Sequence, residues 1–139
     1  MKKLIMFLMA ATILAGLAQV QAQPQGQAAK PALVSPKAAR DLLASGKDAL
    51  LIDVRTLEEF VAGRIAGSVL LPYDQITAAN AAAVVGPNKD RTVIVYCRTG
   101  RRSEIAAATL ASLGYRKVLD LGGIGAWPYG TIKGESRKP

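Results

Sequence analysis

The sequence predicts a single α/β domain built on a central, mostly parallel sheet of about five strands flanked by helices. Three observations lead there. Short apolar, β-branched runs alternate along the chain with segments of helical periodicity, the pattern of parallel sheets with crossover helices. The two strongest runs, 49–54 and 92–96, are apolar on both faces, as strands covered by helices on either side are. The whole chain is 139 residues, room for one domain with one core.

The elements follow in order. Ser35-Pro36 reads as an N-cap with proline at the first helical position, Ala39, Leu42 and Leu43 fall at helical spacing, and Gly46 closes the helix. Ala49-Leu50-Leu51-Ile52-Asp53-Val54 is a buried strand feeding a loop. Thr56 and Glu59 stand at capping-box spacing before Gly63, which predicts a short helix. Ser68-Val69-Leu70-Leu71 is a strand stopped by Pro72. Residues 73–85 are alanine-rich and predict one helix, weakened by Asn80, before the turn cluster Gly86-Pro87-Asn88-Lys89-Asp90. Thr92-Val93-Ile94-Val95-Tyr96 is the strongest strand and runs straight into Cys97. A helix from Arg101 or Arg102 to Leu113 carries Ile105, Ala108, Thr109 and Leu113 along one side and ends at Gly114. Lys117-Val118-Leu119-Asp120 is the last strand, followed by Gly122-Gly123.

The N-terminus has a separate logic. Lys2 and Lys3 precede an almost wholly apolar stretch from Leu4 to Val20, then small residues at Ala22 and a polar run from Gln23: a secretory signal peptide over 1–22. The stretch approaches the roughly 17–25 residues that a membrane span needs, but alanines, Thr12 and Gly16 dilute it. The expected organisation is therefore signal peptide 1–22, flexible linker 23–32 (the polar character continuing to residue 34), domain 33–134 and tail 135–139. The expected location is the periplasm, with no stable membrane association after cleavage. Cleavage would remove Lys2 and Lys3 and leave 16 basic against 10 acidic residues, a charge of +6.

That charge suits a small anionic ligand if the arginines gather. With two Phe, four Tyr and one Trp, a base-stacking platform is poorly supplied, and nucleic acid is not expected as a partner. The chain has no histidine, which excludes Cys-His and Ser-His-Asp machinery and His-bearing metal sites; no metal or cofactor is expected. It has one cysteine, so no intrachain disulfide can form. In a disulfide-forming compartment a lone cysteine is a liability unless buried or used.

Cys97 sits where ligands of open α/β sheets bind, at the carboxyl end of a strand and just before a helix. In Cys97-Arg98-Thr99-Gly100-Arg101-Arg102, Gly100 lets successive N–H groups turn inward, and the helix N-terminus and three arginines add positive charge. Such surroundings lower a thiol from its usual value near 8.5 to roughly 3.5–7.5, so no histidine base is needed. A buried structural cysteine is the commoner role of such a residue; position, glycine and charge together favour a thiolate. The cradle suits a sulfur-bearing anion and phosphate alike.

At these residues the sequence resembles the rhodanese superfamily. The stretches that carry it are Leu51-Ile52-Asp53-Val54-Arg55 with Glu58-Glu59-Phe60, Gly63-Arg64-Ile65-Ala66-Gly67-Ser68, Val95 through Ser103, Leu113-Gly114-Tyr115 and Leu121-Gly122-Gly123-Ile124. The short exported form is most similar to the periplasmic phage-shock single-domain rhodaneses. The resemblance implies a rhodanese-like domain and a thiosulfate sulfurtransferase. Cys97 would take the outer sulfur of a small anionic donor, thiosulfate, as a persulfide, and pass it to cyanide or a thiol. The backbone and basic side chains of Arg98, Thr99, Gly100, Arg101 and Arg102 would bind the substrate, while Asp53 and Arg55 support the loop. The loop has four residues between Cys97 and Arg102; related phosphatases and arsenate reductases carry one more, which favours sulfur over phosphate. The alternatives are a sulfur carrier or binding module with weak turnover, and a cysteine-loop phosphatase or arsenate reductase. A rhodanese fold kept only for interaction fits less well, because cysteine, glycine and arginines are all present. Arg64 stands where the family usually has histidine, a change expected to touch only local packing. The chain ends before the longer tail of many relatives, so one side of the pocket is expected to be open or completed by a second subunit; a monomer or homodimer is expected.

Overall fold

The computed structural model describes residues 30–134; the expected signal peptide, most of the expected linker and the tail 135–139 lie outside them. Five strands, β1 (Ala32–Leu33), β2 (Ala49–Asp53), β3 (Val69–Leu70), β4 (Thr92–Cys97) and β5 (Lys117–Gly123), form one sheet in the order β1-β5-β4-β2-β3. Every neighbouring pair is parallel. The helices are α1 (Pro36–Ala44), α2 (Leu57–Ala62), α3 (Ala78–Val85) and α4 (Arg101–Ser112).

The central strand explains the layers. Side chains alternate along β4. Val93, Val95 and Cys97 join a core with Ala81, Val85, Ala106, Ala107 and Leu110 of α3 and α4. Ile94 and Tyr96 point the other way, into a core with Ala39, Leu51, Ile65 and Leu121, against which Leu42 and Trp127 pack. The predicted caps form: Ser35 accepts from the Ala38 N–H, and Thr56 and Glu59 close a reciprocal capping box at the start of α2.

Four details differ from the sequence expectation. Ala32–Leu33, placed in or beside the linker, pair with Leu119 and Asp120 as the edge strand β1; two residues with Leu33 79% exposed leave no alternation to read. The single helix over 73–85 is broken into a 3-10 turn, Tyr73–Gln75, and α3. Ile76 is extended and buried between them, Thr77 caps α3, and Asn80 donates from its amide to the Gln75 carbonyl at 2.8 Å, bridging the break. In α4 the buried face is Ser103, Ala106, Ala107 and Leu110; of the side expected to be buried, Ile105 and Ala108 are exposed and only Leu113 packs against the core. Small residues let the helix lie close on the sheet. Finally, β5 runs on to Gly123 past a register shift at Leu121, opposite Val95 and Tyr96.

Candidate active site

Strand alternation puts Cys97 at the last position of β4 facing the α4 layer, 1% exposed. The chain must then reverse into α4 within three residues. Gly100 makes the turn with φ +101°, a left-handed value that side chains resist, and caps α4. The turn carries the Gly100 N–H to 3.0 Å from Cys97 Sγ. Sγ in turn lies 3.6 Å from Ser103 Oγ, which donates to the Gly100 carbonyl at 2.9 Å. Burial pushes the Cys97 thiol up, but the Ser103 hydroxyl, which can turn its proton from the Gly100 carbonyl to the sulfur once the thiol ionises, and the N–H groups of Ser103, Gly100 and Thr99 outweigh it, and the thiol is held below its ordinary value.

The loop rests on β5. A side chain on Gly123 would place its first carbon 2.7 Å from the Arg98 carbonyl oxygen and 3.2 Å from Thr99 Cα, so only a bare backbone fits under the loop. On the far side of the sheet, Asp53 at the end of β2 holds Arg55 through Oδ1 and Oδ2, with Nη2 at 2.6 Å from Oδ2, and both residues are buried. Arg55 Nη2 also donates to the Gly63 carbonyl at 2.7 Å. Tyr96, next to Cys97 but facing the other layer, donates to Asp53 Oδ2 at 2.7 Å and accepts from the Ile65 N–H at 3.1 Å. Burial is the main reason its phenol is pushed up to about 12. The pair Asp53–Arg55 thus locks β2, β4 and the Gly63–Ser68 turn together; it does not touch the sulfur.

Of the residues expected to bind substrate, Gly100 brings its N–H to the sulfur, the Thr99 N–H helps to hold the thiol low, and Arg98 and Arg101 stand exposed, without an ion-pair partner among the described residues. Arg102 is placed differently. Its Nη1 and Nη2 grip the Glu59 carboxylate at 2.7 and 2.8 Å, tying α4 to the first turn of α2. The Arg102 hydrogen bonds are the main reason Glu59 falls to about 2. Ser103 and Glu59 are the site residues that sequence reasoning did not single out. Ser103 lay within the motif, three residues after the turn glycine Gly100; Glu59 was legible only as a cap.

Beside the loop lies a shallow cavity of about 420 Å³, wide open to solvent and lined by Arg55, Glu59, Gly63, Arg98, Ile124 and Thr131, among others. On the side expected to be open or to need a second subunit, Ile124 and Thr131 of the chain's own segment 124–134 border the cavity, which stays open to solvent.

The chain matches the family model for the rhodanese-like domain over residues 35–128. It is 37% identical over 73 residues to the thiosulfate sulfurtransferase PspE of Escherichia coli, covering 52% of this chain and 68% of that one. It is 38% identical over 109 residues to the probable adenylyltransferase/sulfurtransferase MoeZ of Mycobacterium tuberculosis, spanning 78% of this chain but only 27% of that protein's length. Among solved structures it is similar to the human single-domain sulfurtransferase TSTD1, with a TM-score of 0.59 and 31% identity over 68% of this chain and 93% of that one. Five parallel strands, a cysteine at the end of the central one and these likenesses lead to one conclusion: the chain belongs to the rhodanese family of sulfurtransferases.

Proposed function

We propose that the protein moves the outer sulfur of thiosulfate to cyanide or a small thiol through a persulfide on Cys97, and that it does so in the periplasm after loss of residues 1–22. The observation that carries the reading is the Gly100 N–H at 3.0 Å from a buried Sγ whose thiol is held low. A sulfur surrounded by N–H donors at a helix N-terminus is stabilised as an anion. The Cys97 thiolate attacks the outer sulfur of thiosulfate. The bond between the two thiosulfate sulfurs breaks, and its electron pair leaves with sulfite. The new terminal sulfur then occupies the N–H cradle as a persulfide anion. Cyanide or a thiolate attacks that sulfur, the Cys97–sulfur bond breaks, and the Cys97 thiolate returns as thiocyanate or an acceptor persulfide departs. Arg98 and Arg101, both exposed, attract the dianionic donor; Arg102 contributes field rather than contact, because Glu59 occupies its fork. The test is intact-mass spectrometry after thiosulfate treatment. Wild type is expected to gain one sulfur atom and Cys97→Ser none. No gain in wild type, with no thiocyanate formed from cyanide, would sink the reading. The N-terminal residue of the protein recovered from a periplasmic fraction tests the export half, with Gln23 expected.

A further inference from the structure

The segment 124–134 buries little of itself. Gly130, Thr131, Ile132 and Lys133 are all exposed, so apolar packing does not explain its course. Polar clamps do. Near its start Trp127 packs on the second core and meets the edge of Tyr129 at 5.0 Å between centroids, and Arg40 of α1 stacks on Tyr129 at 4.1 Å. At its far end Arg64 and Ile132 exchange two backbone hydrogen bonds, each 2.9 Å, and the Gly134 N–H donates to the Val61 carbonyl at 2.9 Å. The Arg64 side chain completes this clamp. It is almost wholly buried, lies flat on Phe60 at 4.4 Å, and donates from Nη1 to the Gly134 carbonyl. A buried guanidinium is costly to desolvate; apart from a long 3.5 Å hydrogen bond from Nη1 to the Phe60 carbonyl, its compensation comes from a main-chain carbonyl 70 positions along the chain and lasts while the segment stays in place. Between the clamps, Thr131 Oγ1 lies 3.7 Å from where a Gly63 side chain would begin, and Thr131 and Ile124 face Arg55 and Gly63 across the 420 Å³ cavity that reaches Arg98.

We propose that this cavity is the acceptor subsite for a low-molecular-weight thiol, that segment 124–134 is one of its walls, and that Arg64 is the positioning residue that holds the wall. The inference rests on the persulfide reading. Thiolate attack needs the acceptor beside the loop, and an open cavity of this volume has room for a molecule of tripeptide size. Arg98 at its edge suits an acceptor that carries a carboxylate. Cyanide, two atoms long, reaches the sulfur without using the walls. Arg64 therefore governs how well a thiol binds and not whether the persulfide forms.

The experiment compares cyanide and glutathione as acceptors for wild type, Arg64→Met, which keeps the stacked stem but loses the hydrogen bonds, and Thr131→Phe, which fills the cavity without disturbing the clamp. Amide exchange across 131–134 is followed in parallel. Arg64→Met is expected to lose protection at 131–134 and to raise KM for glutathione at least fivefold relative to KM for cyanide, with the change in KM and not in kcat. Thr131→Phe is expected to raise the same ratio at least fivefold, and it serves as the test should Arg64→Met not fold. A ratio within twofold of wild type in Thr131→Phe would overturn the subsite. An unmoved ratio in a loosened Arg64→Met, a segment still protected in that variant, or an equal fall for both acceptors would overturn the role of Arg64. Absence of sulfur transfer in wild type would instead fail the persulfide reading itself.

Discussion

The loop 97–103 and the segment 124–134 border the same cavity but are built in opposite ways. The loop is held by its own neighbours: the Cys97 sulfur, the Gly100 N–H and the Ser103 hydroxyl are at most six positions apart. The segment is held by residues at a distance, Arg64 on Gly134 and Arg40 on Tyr129. Chemistry here is contiguous, and positioning is dispersed. Changes in the loop should accordingly alter the reactivity of the sulfur with little loss of stability. Changes in the distant supports should do the reverse, or should move the loop as a rigid piece.

The largest effect is expected from Asp53→Asn. Asp53 is fully buried and neutralises Arg55, itself only 6% exposed. Breaking one partner of such a pair leaves a buried charge uncompensated and typically costs about 3–5 kcal/mol. Urea unfolding should show that loss, while the pH profile of Cys97 alkylation stays where it was in the remaining folded protein. A shifted profile would place the pair in the chemistry and erase the distinction drawn above.

Gly123→Ala is the next in size and tests the floor of the loop. The added carbon would meet three backbone atoms, Arg98 O, Thr99 Cα and Arg98 C, none of which can rotate away. Overpacking of this kind costs about 1–3 kcal/mol, and the loop is expected to shift and lose roughly tenfold or more in kcat/KM for thiosulfate. Gly122→Ala is the control: its φ of +81° strains the backbone, yet nothing lies within 4 Å of the added carbon. That variant should lose stability and keep its kcat/KM in the folded fraction. Equal kinetic losses in both would mean that strand β5 and not the contact with Arg98 sets the loop.

The same contrast explains how much could be read from the sequence. Strand β4, Cys97, the turn glycine and α4 are consecutive, and each leaves a local signature: a β-branched run, a glycine where φ must be positive, a helical period. The capping box of α2 was legible for the same reason. What the sequence hid depends on partners far along the chain. Glu59 looked complete as a cap, and nothing near it announces Arg102. Arg102 looked like a third free cation for the same reason. Arg64 read as a local exchange for histidine, because the carbonyl it holds is 70 positions away. The buried face of α4 was missed because alanines and Ser103 carry weaker hydrophobic signals than Ile105, although small size is what the close approach to the sheet requires. Strand β1 has two residues, too few for any period.

Ser103→Ala probes the loop side. Removing the hydroxyl takes away the side-chain hydrogen bond that helps to hold the thiol low, while burial, which pushes it up, remains. The inflection of the pH–rate profile for persulfide formation should move to higher pH, and the rate at neutral pH should fall about tenfold, the equivalent of about 1.4 kcal/mol. Stability should change little, because the Gly100 carbonyl that Ser103 bonds is half-exposed at the turn. A lost rate with an unmoved inflection would assign Ser103 to packing.

Glu59→Gln should have the smallest effect, and its pH dependence has a definite sign. Arg102 holds the Glu59 carboxyl down to about 2 in the folded protein, from 4.5 when free of its surroundings. A depressed carboxylate stabilises the fold fully above the unfolded value, and that contribution fades as pH falls from about 4.5 through about 2. The pair is part-exposed, so the contribution is roughly 1 kcal/mol or less after screening. Wild type should therefore melt a few degrees above Glu59→Gln at pH 7, and the gap should close as the pH approaches 2. Freed from Glu59, Arg102 can turn its fork toward the cavity, so the variant is also expected to bind thiosulfate slightly better at low salt, an effect that added salt removes. A melting gap independent of pH, or a weakened donor KM, would show that Glu59 shapes the mouth by packing and that the α2–α4 tie is no electrostatic device.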